Sequence, residues 1–431
     1  VGFDTRFLSD RFALEVSRVL ADEGLMVYLS KSDCPTPALA YAIQNLGALG
    51  GIMITASHNP PRYNGIKFKG RHGGPGMPNE MREIEKLLER NLEHGQEPAT
   101  NGQALCSLDQ EYQRVVRFDP MPDYLAHIRT LVDFGAIAES GLRIAIDPMY
   151  GAGRGYAAAL LREAGCEIVE IHSEMNPGFA GIHPEPIERN LGDLIATVRD
   201  GHHDIGLATD GDADRIGAVD ATGGFVDPHR IFSLILRHLV EERGGSGAVV
   251  KTVSTTQLLN RMSRHYGLPL RETPVGFNHI CDVMLKEDVL IGGEESGGIA
   301  IKGHIPDGDG VLMGLLLIEI LACHRQPLHE IIAGLMQEFG EFHYGRNDVQ
   351  TRAFDKQELT RQLMGEVPDT ILHCKVAAVN NSDGVKYLLD DDSWLLIRPS
   401  GTEPVLRIYA EAPTPQQVQQ LLAEGAKLAH V

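Results

Sequence analysis

Short apolar runs alternate with amphipathic stretches along most of the chain. Apolar residues recur at helical spacing over Asp10 to Ala21, Ala38 to Leu46 and Tyr156 to Ala164. The strand-like runs around them are Met26 to Leu29, Leu142 to Ile146 and Glu167 to Ile171. An alternation of this kind predicts mostly parallel sheets that are covered by helices. The pattern therefore places the chain in the α/β class.

The same pattern restarts near residues 124–142 and 228–250, and it changes after His343. Beyond His343, strands such as Trp394–Ile397 precede a final helix from Pro415 to Leu428. We predict three similar α/β domains with mixed or parallel sheets, plus a smaller C-terminal α+β domain. The predicted domain limits are 1–128, 129–232, 233–340 and 341–431, and we expect the active site in the central cleft between the domains.

The composition is that of a soluble globular protein, and its charge argues against several kinds of partner. Of 431 residues, 43% are hydrophobic and 23% are charged. No apolar run approaches the length of a membrane span, no cleavable signal peptide is visible, and the six cysteines are scattered. We therefore expect a cytoplasmic protein without a membrane partner. The net charge of −20 argues against nucleic acid as a partner.

A serine follows a predicted strand in the N-terminal part of the chain. The apolar run Ile52–Ile54 leads into residues 55–60, which read TASHNP. A serine at the end of a strand, with a histidine next to it, is a candidate nucleophile, here Ser57 with His58. Taken alone, the segment is more typical of an ordinary turn in which Ser57 and Asn59 bond their own backbone. Three further loops suited to phosphate or sugar favour the nucleophile.

Three carboxylates at alternate positions form the second loop. Asp210, Asp212 and Asp214 follow an apolar run and precede Arg215. Carboxylates this close repel one another, so their clustering indicates a bound cation. Ligands that are all oxygen atoms point to a hard ion such as Mg²⁺. An EF-hand is excluded, because Arg215 stands where that calcium loop needs glycine and Ala221 stands where it needs glutamate.

Two glycine-rich loops follow at wide intervals. Residues 292–298, GGEESGG, offer Glu294 and Ser296 to sugar hydroxyls, although a plain surface turn is about equally probable. Residues 398–404, RPSGTEP, offer hydroxyls, backbone N–H groups and a guanidinium to an anion. The candidate phosphate-binding residues are Arg398, Ser400, Gly401, Thr402 and, beyond the loop, Arg407.

Together the four loops resemble those of one family, the α-D-phosphohexomutases, which includes phosphoglucomutases, phosphomannomutases and phosphoglucosamine mutases. The phosphoserine loop TASHNP, the metal loop DGDADR, the sugar loop GEES and the phosphate loop RPSGTEP occur in the family's order. Supporting stretches are residues 2–6, 183–186 and 273–276. The resemblance spans essentially the whole chain, and four ordered motifs are far more specific than any one of them.

The resemblance implies a site for phosphoryl transfer. By this resemblance, Ser57 would carry a phosphoryl group. The ligands implied for Mg²⁺ are Ser57, Asp210, Asp212 and Asp214. Arg215 approaches the transferring group. These roles are implied by the family motifs at the matching positions of this chain.

The family pattern also implies proton carriers and sugar contacts. The candidate acid/base residues are His58, Lys67 and His304, and Lys67 matches a family lysine. The implied substrate-binding residues are Thr273, Glu294, Ser296, His304, Arg398, Ser400, Gly401, Thr402 and Arg407.

The implied activity is the exchange of hexose 1-phosphate and hexose 6-phosphate through a hexose 1,6-bisphosphate, which is both intermediate and activator. The expected partners are small hexose phosphates, and the expected state is a monomer or a homodimer. The GEES spelling favours glucose, with mannose as a possible second sugar. The alternatives are a phosphoglucosamine mutase, a non-catalytic sugar-phosphate-binding relative, and a haloacid-dehalogenase-type phosphatase with Asp210 or Asp212 as its nucleophile.

Four features depart from the family pattern. The usual Gly-Thr-Ser-Gly strand and its arginine loop are absent before Val1, so we expect an N-terminal strand to be missing. Two positions where relatives carry a basic residue are Asn278 and Gly308 here. Gly298 stands where some sugar loops carry histidine. Loss of these cations predicts weaker binding of ordinary hexose phosphates.

Overall fold

The computed structural model describes residues 1–94, 113–350, 356–400 and 405–430. In these ranges the chain forms three α/β units and a C-terminal α+β unit, which confirms the predicted fold class. The four candidate loops leave four different sheets.

In the first domain, the central strand of a three-stranded sheet ends directly before the TASHNP segment. Its elements are β1 Gly2–Phe3, α1 Ser9–Asp22, β2 Val27–Ser30, α2 Thr36–Asn45, β3 Gly50–Ile54, β4 Ile66–Gly70, α3 Pro78–Glu93 and β5 Val115–Phe118. Strand β3 pairs in parallel with β1 and antiparallel with β4, while β2 pairs in parallel with β5. The serine loop therefore starts at the carboxyl end of β3 and returns through β4.

The second domain has a five-stranded mixed sheet with the order β10-β9-β8-β6-β7. Its elements are α4 Met121–Leu131, α5 Phe134–Ala138, β6 Arg143–Asp147, α6 Tyr156–Glu163, β7 Glu167–Glu170, α7 Gly192–Asp200, β8 Ile205–Thr209, β9 Ile216–Asp220 and β10 Phe225–Val226, with short 3₁₀ turns at Phe179–Gly181 and Glu188–Asn190. Strands β8 and β9 are antiparallel neighbours. The three aspartates lie in the turn that joins them.

The third domain has a four-stranded sheet with the order β12-β11-β13-β14. Its elements are α8 Pro228–Glu241, β11 Ala248–Thr252, α9 Leu258–His265, β12 Leu270–Thr273, α10 Phe277–Lys286, β13 Val289–Gly293, β14 Ile299–Ile301, α11 Gly310–His324 and α12 Leu328–Phe339. The GEES segment is the hairpin turn between the antiparallel strands β13 and β14.

Helix α11 binds the second and third domains into one core. Every residue from Gly310 to Ala322 is buried, and the helix packs against α5, α8, β8 and β9. Burial on all sides explains why α11 is apolar around its whole circumference. In the described part of the chain no single helix is long and apolar enough to cross a membrane; α11 and α12 pass that test only as a pair, and they are bent by 86°.

The C-terminal domain has a separate core. Its elements are β15 His343–Gln350, α13 Lys356–Gly365, β16 Thr370–Ile371, β17 Cys374–Asn380, β18 Val385–Leu389, β19 Trp394–Pro399, β20 Val405–Ala412 and α14 Pro415–Leu428. The sheet order is β15-β20-β19-β18-β17-β16. Residues such as Ile397, Ile408 and Leu421 form the core between this sheet and α14. The phosphate loop joins β19 to β20.

The predicted domain limits stay a prediction. The limits 128/129 and 232/233 fall inside α4 and α8, whereas 340/341 falls between α12 and β15. Domain boundaries lie in irregular segments, so we expect the boundaries near residues 128 and 232 in the loops beside α4 and α8.

Candidate active site

Ser57 occupies a strained position at the end of β3. Its φ is 50°, in the left-handed region that residues other than glycine rarely adopt. Its N–H donates to Thr55 Oγ1 at 2.8 Å, and its Oγ donates to Asp210 Oδ2 at 2.8 Å. Thr55 Oγ1 in turn donates to Asp4 Oδ2 at 2.7 Å. The serine hydroxyl of the first domain is thus aimed at the metal loop of the second.

The side chain of Arg6 holds the serine loop through the backbone carbonyl oxygens of that loop. The guanidinium is buried and donates to five acceptors. They are the carbonyl oxygens of Ser57 (2.5 Å), Asn59 (2.6 Å), Pro60 (2.9 Å) and Tyr63 (3.0 Å) and a carboxylate oxygen of Asp4 (3.1 Å). All N–H groups of the guanidinium can be used in this way, so the loop is fixed in one conformation.

Sequence reasoning missed the role of Arg6. Residues 2–6 were identified only as a supporting stretch of the family pattern. The available signal was an Asp-x-Arg pair that directly follows the apolar Phe3, because a charged pair at the end of a buried strand is costly unless its partners are close.

The three aspartates lie together in the turn between β8 and β9. One oxygen from each of Asp210, Asp212 and Asp214 lies within 4.8 Å of the others. Asp210 and Asp212 have no exposed surface. Thr36 Oγ1 donates to Asp212 Oδ2 at 2.6 Å. Burial, and then the charges of its two neighbours, raise the pKa of Asp210 well above its usual range.

The carboxylates leave acceptor sites that fit a divalent ion. Asp212 Oδ1 and Asp214 Oδ1 are buried and accept no hydrogen bond from any described residue. Buried acceptors without donors are costly, and a hard cation would satisfy both. Because the donor set is all oxygen, the residues fit Mg²⁺.

Lys67 from β4 supplies positive charge to the same cluster. Its Nζ donates to Asp212 Oδ2 and to Asp214 Oδ2, both at 2.8 Å. Burial works to lower the pKa of Lys67, but the two carboxylates outweigh it and raise that pKa above its ordinary value. Lys67 therefore stays protonated beside the aspartate cluster.

His58 and Arg215 flank the serine. His58 Nδ1 lies 3.4 Å from Ser57 Oγ. The charge of Arg215, then burial and the charge of Lys67, lower the pKa of His58 to about 2, and Arg346 contributes in the same direction. His58 is therefore neutral at physiological pH. Arg215 is anchored by its backbone N–H, which donates to Asp210 Oδ1 at 3.1 Å.

One carboxylate of the sugar loop, that of Glu294, has a raised pKa. Glu294 Oε1 accepts the Gly276 N–H at 2.9 Å, and Ser296 Oγ lies 3.4 Å from Glu294 Oε2. Burial, and then the charge of Glu295, raise the pKa of Glu294 to about 7. Thr273 is buried and donates to the Pro274 carbonyl oxygen at 3.1 Å, so its hydroxyl already has a backbone partner.

The phosphate loop is described only at its two ends. Arg398 Nε donates to Asp383 Oδ2 at 2.7 Å, and the same carboxylate oxygen accepts the Val275 N–H of the third domain at 3.0 Å. Ser400 is buried and donates its N–H to Val405. In the strand register Arg407 lies directly opposite Arg398. The predicted residues Gly401 and Thr402 lie outside the described residues.

His304 lies in a different set of contacts. Its Nε2 is 2.8 Å from Asp309 Oδ2, its Nδ1 is 3.1 Å from His127 Nε2, and its side chain has no exposed surface. Asp309 also accepts from the Tyr124 hydroxyl at 2.8 Å. Both ring nitrogens of His304 are thus engaged at the start of α11, which leaves neither of them for a sugar or a proton transfer.

Gly308 has a packing reason. A Cβ at this position would lie 2.6 Å from the carbonyl oxygen of Asp214 and 3.0 Å from Cα of Gly298. Side chains do not tolerate such approaches. The loop at Gly308 therefore packs closely on the metal loop and the sugar loop. This packing leaves no room for the basic side chain that relatives carry at this position.

Comparisons with known proteins match all four domains. Family models described as phosphoglucomutase/phosphomannomutase domains match residues 1–94 (domain I), 122–223 (domain II), 227–339 (domain III) and 361–428 (C-terminal domain). These matches include the serine, metal and sugar loops and both ends of the phosphate loop.

Individual proteins agree with the family models. The chain is 32% identical to a phosphoglucosamine mutase from Carboxydothermus hydrogenoformans, over 98% of this chain and 88% of the relative. It is 31% identical to a phosphoglucomutase/phosphomannomutase from Thermococcus kodakarensis, over 99% and 89%. The crystal structure of a Thermus thermophilus protein described as a phosphomannomutase is 35% identical, with a TM-score of 0.85 over 100% of this chain and 90% of that one.

Proposed function

The chain belongs to the phosphoglucomutase/phosphomannomutase family, and we propose that it exchanges a phosphoryl group between carbons 1 and 6 of a hexose through phosphorylated Ser57. As a phosphohexomutase it is an isomerase that transfers a phosphoryl group within its substrate. The observation that carries the proposal is the Ser57 hydroxyl, which donates at 2.8 Å to a carboxylate of the three-aspartate cluster. The haloacid-dehalogenase alternative is set aside by the family assignment.

The residues of the cleft divide the work between binding and transfer. When bound by Asp210, Asp212 and Asp214, Mg²⁺ would neutralise charge on the transferring phosphoryl group. Arg6 holds the Ser57 loop so that Oγ stays aimed into the cluster. Arg215 adds a fixed positive charge on the same side, where charge on the phosphoryl oxygens must be balanced.

Lys67 and His58, the two candidate proton carriers near Ser57, have different roles. Lys67 holds a proton and lies 2.8 Å from two of the carboxylates, so we assign to it the donation of a proton to Ser57 Oγ as the phosphoryl group leaves, after which the neutral amine takes up the proton of the attacking hydroxyl. His58 is neutral, and the nearby charges of Arg215 and Lys67 oppose an imidazolium. We therefore assign to His58 the orientation of the serine hydroxyl.

The sugar loop supports a hexose with equatorial hydroxyls at carbons 3 and 4. Glu294 accepts hydrogen bonds from such hydroxyls and Ser296 either donates or accepts. The Glu-Glu-Ser spelling of the loop resembles the phosphoglucomutase branch, so we propose glucose 1-phosphate as the better substrate. Mannose shares the positions at carbons 3 and 4, so mannose 1-phosphate should lie within a few kcal/mol in transition-state free energy. Glucosamine 1-phosphate is the second candidate, because a relative that covers nearly the whole chain is named a phosphoglucosamine mutase.

Two measurements test the activity and its sugar. Ser57→Ala should abolish nearly all turnover but leave binding of the sugar phosphate largely intact, since the covalent relay is lost while the phosphate site remains. Intact mass spectrometry should show an acid-stable phosphoryl group on the wild type and none on the variant. Retained turnover in Ser57→Ala would refute the phosphoserine mechanism. Paired kcat/KM values for glucose, mannose and glucosamine 1-phosphates, each with its bisphosphate, would rank the sugars.

A further inference from the structure

A third arginine shares the sheet face that carries Arg398 and Arg407. Strand β20 places Arg407 opposite Arg398 of β19, and it places Tyr409 opposite Arg346 of β15. Residues directly opposite each other in an antiparallel pair, and residues two apart on one strand, point to the same face. Arg346, Arg398 and Arg407 are therefore arranged around Tyr409 on one face of the C-terminal sheet.

This face is turned toward the third domain. The other face carries Ile397 and Ile408, which pack in the core of the C-terminal domain. On the arginine face, Leu396 and Tyr409 form a buried cluster with Val253 of the third domain. Arg346 Cζ lies 5.6 Å from the centroid of the Tyr409 ring, so its guanidinium is on the same side of the sheet as this cluster.

The guanidinium of Arg346 keeps capacity for a ligand. Its Nε and Nη2 donate to Asp348 at 2.7 and 2.6 Å, and Nη1 donates to none of the residues that the structure describes. The two side chains are 34% and 41% exposed. An exposed ion pair of this kind is worth little, so an anion that enters the cleft can compete for the guanidinium at low cost.

The arginine face carries three guanidinium groups together with carboxylates. Arg398 and Arg407 lie directly opposite each other, Asp348 lies opposite Arg407, and Arg398 donates to Asp383. The chain as a whole carries a net charge of −20, so a ligand with two phosphoryl groups needs a local concentration of cations. Arg346 extends the row of arginines from β19 and β20 to β15.

We propose that Arg346 is a substrate-binding residue that contacts a phosphoryl group of the hexose 1,6-bisphosphate while this intermediate lies between Ser57 and residues 398–400. The inference rests on the proposed function and adds to it a residue outside the four loops. Guanidinium groups suit this contact because they bind phosphate oxygens through two parallel N–H donors.

Retention of the intermediate is the step that Arg346 should affect. In the first transfer the bond between phosphorus and Ser57 Oγ breaks, a bond from phosphorus to the oxygen of the free sugar hydroxyl forms, and the net result moves the hydroxyl proton to Ser57 Oγ. If the bisphosphate leaves at this stage, Ser57 remains as a free hydroxyl. The enzyme is then inactive until a bisphosphate from solution phosphorylates it again. A weaker grip on the intermediate therefore raises the concentration of activator that the enzyme needs.

The test compares Arg346→Gln with Arg361→Gln. Arg361 is another exposed arginine of the C-terminal domain, paired with Glu358 on α13, outside the arginine face. Glucose 1,6-bisphosphate is the probe, and two quantities are measured: its Kd by calorimetry on the Ser57→Ala background, and the concentration for half-maximal activation in the otherwise native protein. We expect both to rise roughly 10- to 100-fold for Arg346→Gln, less for Arg346→Lys, and not for Arg361→Gln.

The possible outcomes separate the inference from the proposed function. Wild-type behaviour of Arg346→Gln, in a protein that binds the bisphosphate and turns over, overturns the inference alone. Equal effects in both glutamine variants also overturn it, because they indicate a general charge effect. A wild type that neither binds the bisphosphate nor is activated by it refutes the proposed function and the inference together. Because Arg346 is exposed, thermal unfolding of the variant should match that of the wild type.

Discussion

The two ends of the cleft are secured in different ways. At the reacting end, the serine loop, the aspartate turn and Lys67 come from domains that pack closely, and buried polar contacts such as the Lys69–Asp307 ion pair tie the first domain to the third. At the phosphate end, the C-terminal domain has its own hydrophobic core and meets the third domain through polar contacts and a small apolar cluster that includes Val253 and Leu396. The reacting groups are therefore preorganised by the fold, whereas binding of the distal phosphate depends on the contact between the third and C-terminal domains.

That domain contact is centred on Glu411. Its buried carboxylate accepts from the Thr256 hydroxyl, from the Gln257 N–H at 2.8 Å and from Trp394 Nε1 at 2.5 Å. Beside it, Lys386 Nζ donates to the Val253 carbonyl oxygen at 2.6 Å. Interfaces between domains of one chain are usually more polar than cores and allow relative motion. The difference between the two ends predicts that mutations at the first reduce kcat and mutations at the second raise KM.

The largest effect is expected for Asp212→Asn at the reacting end. The substitution removes a charge from the cluster and weakens the contacts to Thr36 and Lys67. We expect kcat to fall roughly 100- to 1000-fold and the response to added Mg²⁺ to weaken. The control is Asp200→Asn, at an exposed carboxylate of α7. Full activity of the wild type after removal of divalent ions with EDTA would show that the cluster is not a catalytic metal site.

The next effect is expected for Arg6→Lys. Lysine keeps the charge but offers three donors from one point, so it cannot serve the five acceptors that Arg6 binds. We expect kcat to fall roughly 10- to 100-fold with little change in KM, because Arg6 touches the serine loop and not the substrate.

Arg243→Lys is the matched control for this variant. Arg243 also binds a carboxylate and a carbonyl oxygen, those of Glu319 and Leu131, but far from the serine loop in sequence and contacts. A loss of kcat in Arg243→Lys equal to that in Arg6→Lys would mean that both arginines act only through stability. The rate of phosphorylation of Ser57 by glucose 1,6-bisphosphate provides an independent readout for the loop.

The sequence allowed the fold and most of the loops to be predicted, for physical reasons. The periodicity predicted a helix over Asp10 to Ala21, and the structure has one at Ser9–Asp22; the final helix from Pro415 to Leu428 has the predicted bounds. Local periodicity reports burial, so it identifies such elements well. The Arg6 clamp could not be read from it, because its acceptors are backbone carbonyl oxygens more than fifty residues away.

His304 and Arg346 show what sequence motifs do not predict: the first is in a motif but has other partners, and the second is in no motif. A motif places His304 near the sugar loop in sequence, but both of its ring nitrogens bind His127 and Asp309 in the fold. Arg346 stands in no motif, and only the strand register reveals that it shares a face with Arg398. Side-chain partners across domains depend on register and packing, which a single sequence does not display.

A smaller effect is expected for Glu411→Gln at the phosphate end. An amide in place of the carboxylate weakens up to three hydrogen bonds, two of which join the third domain to the C-terminal domain. We expect KM for the hexose phosphate to rise roughly fivefold while kcat stays within about twofold, because the reacting groups lie in other domains. A fall in kcat at constant KM would contradict the division between the two ends. Thermal unfolding measured alongside would report any loss of overall stability.

The smallest effect is a pH dependence that should belong to the sugar loop and not to the arginine face. Burial and the charge of Glu295 raise the pKa of Glu294 to about 7, so its carboxylate is present above that pH and is protonated below it. Because the carboxylate is the better acceptor for sugar hydroxyls, kcat/KM should fall about threefold as pH drops from 8 to 6. The arginines stay protonated throughout and contribute no such change.

The substrate's own phosphate also titrates near pH 6, so the quantity to compare is the ratio of kcat/KM for the wild type to that for Glu294→Gln. This ratio cancels the titration of the substrate, and we expect it to rise with pH through about 7. A ratio that is flat with pH would mean that Glu294 does not contact the sugar as a carboxylate. A parallel measurement with Arg346→Gln should give a ratio that is independent of pH, because guanidinium groups do not titrate in this range. The two ratios together would separate the sugar contact from the phosphate contact within one cleft.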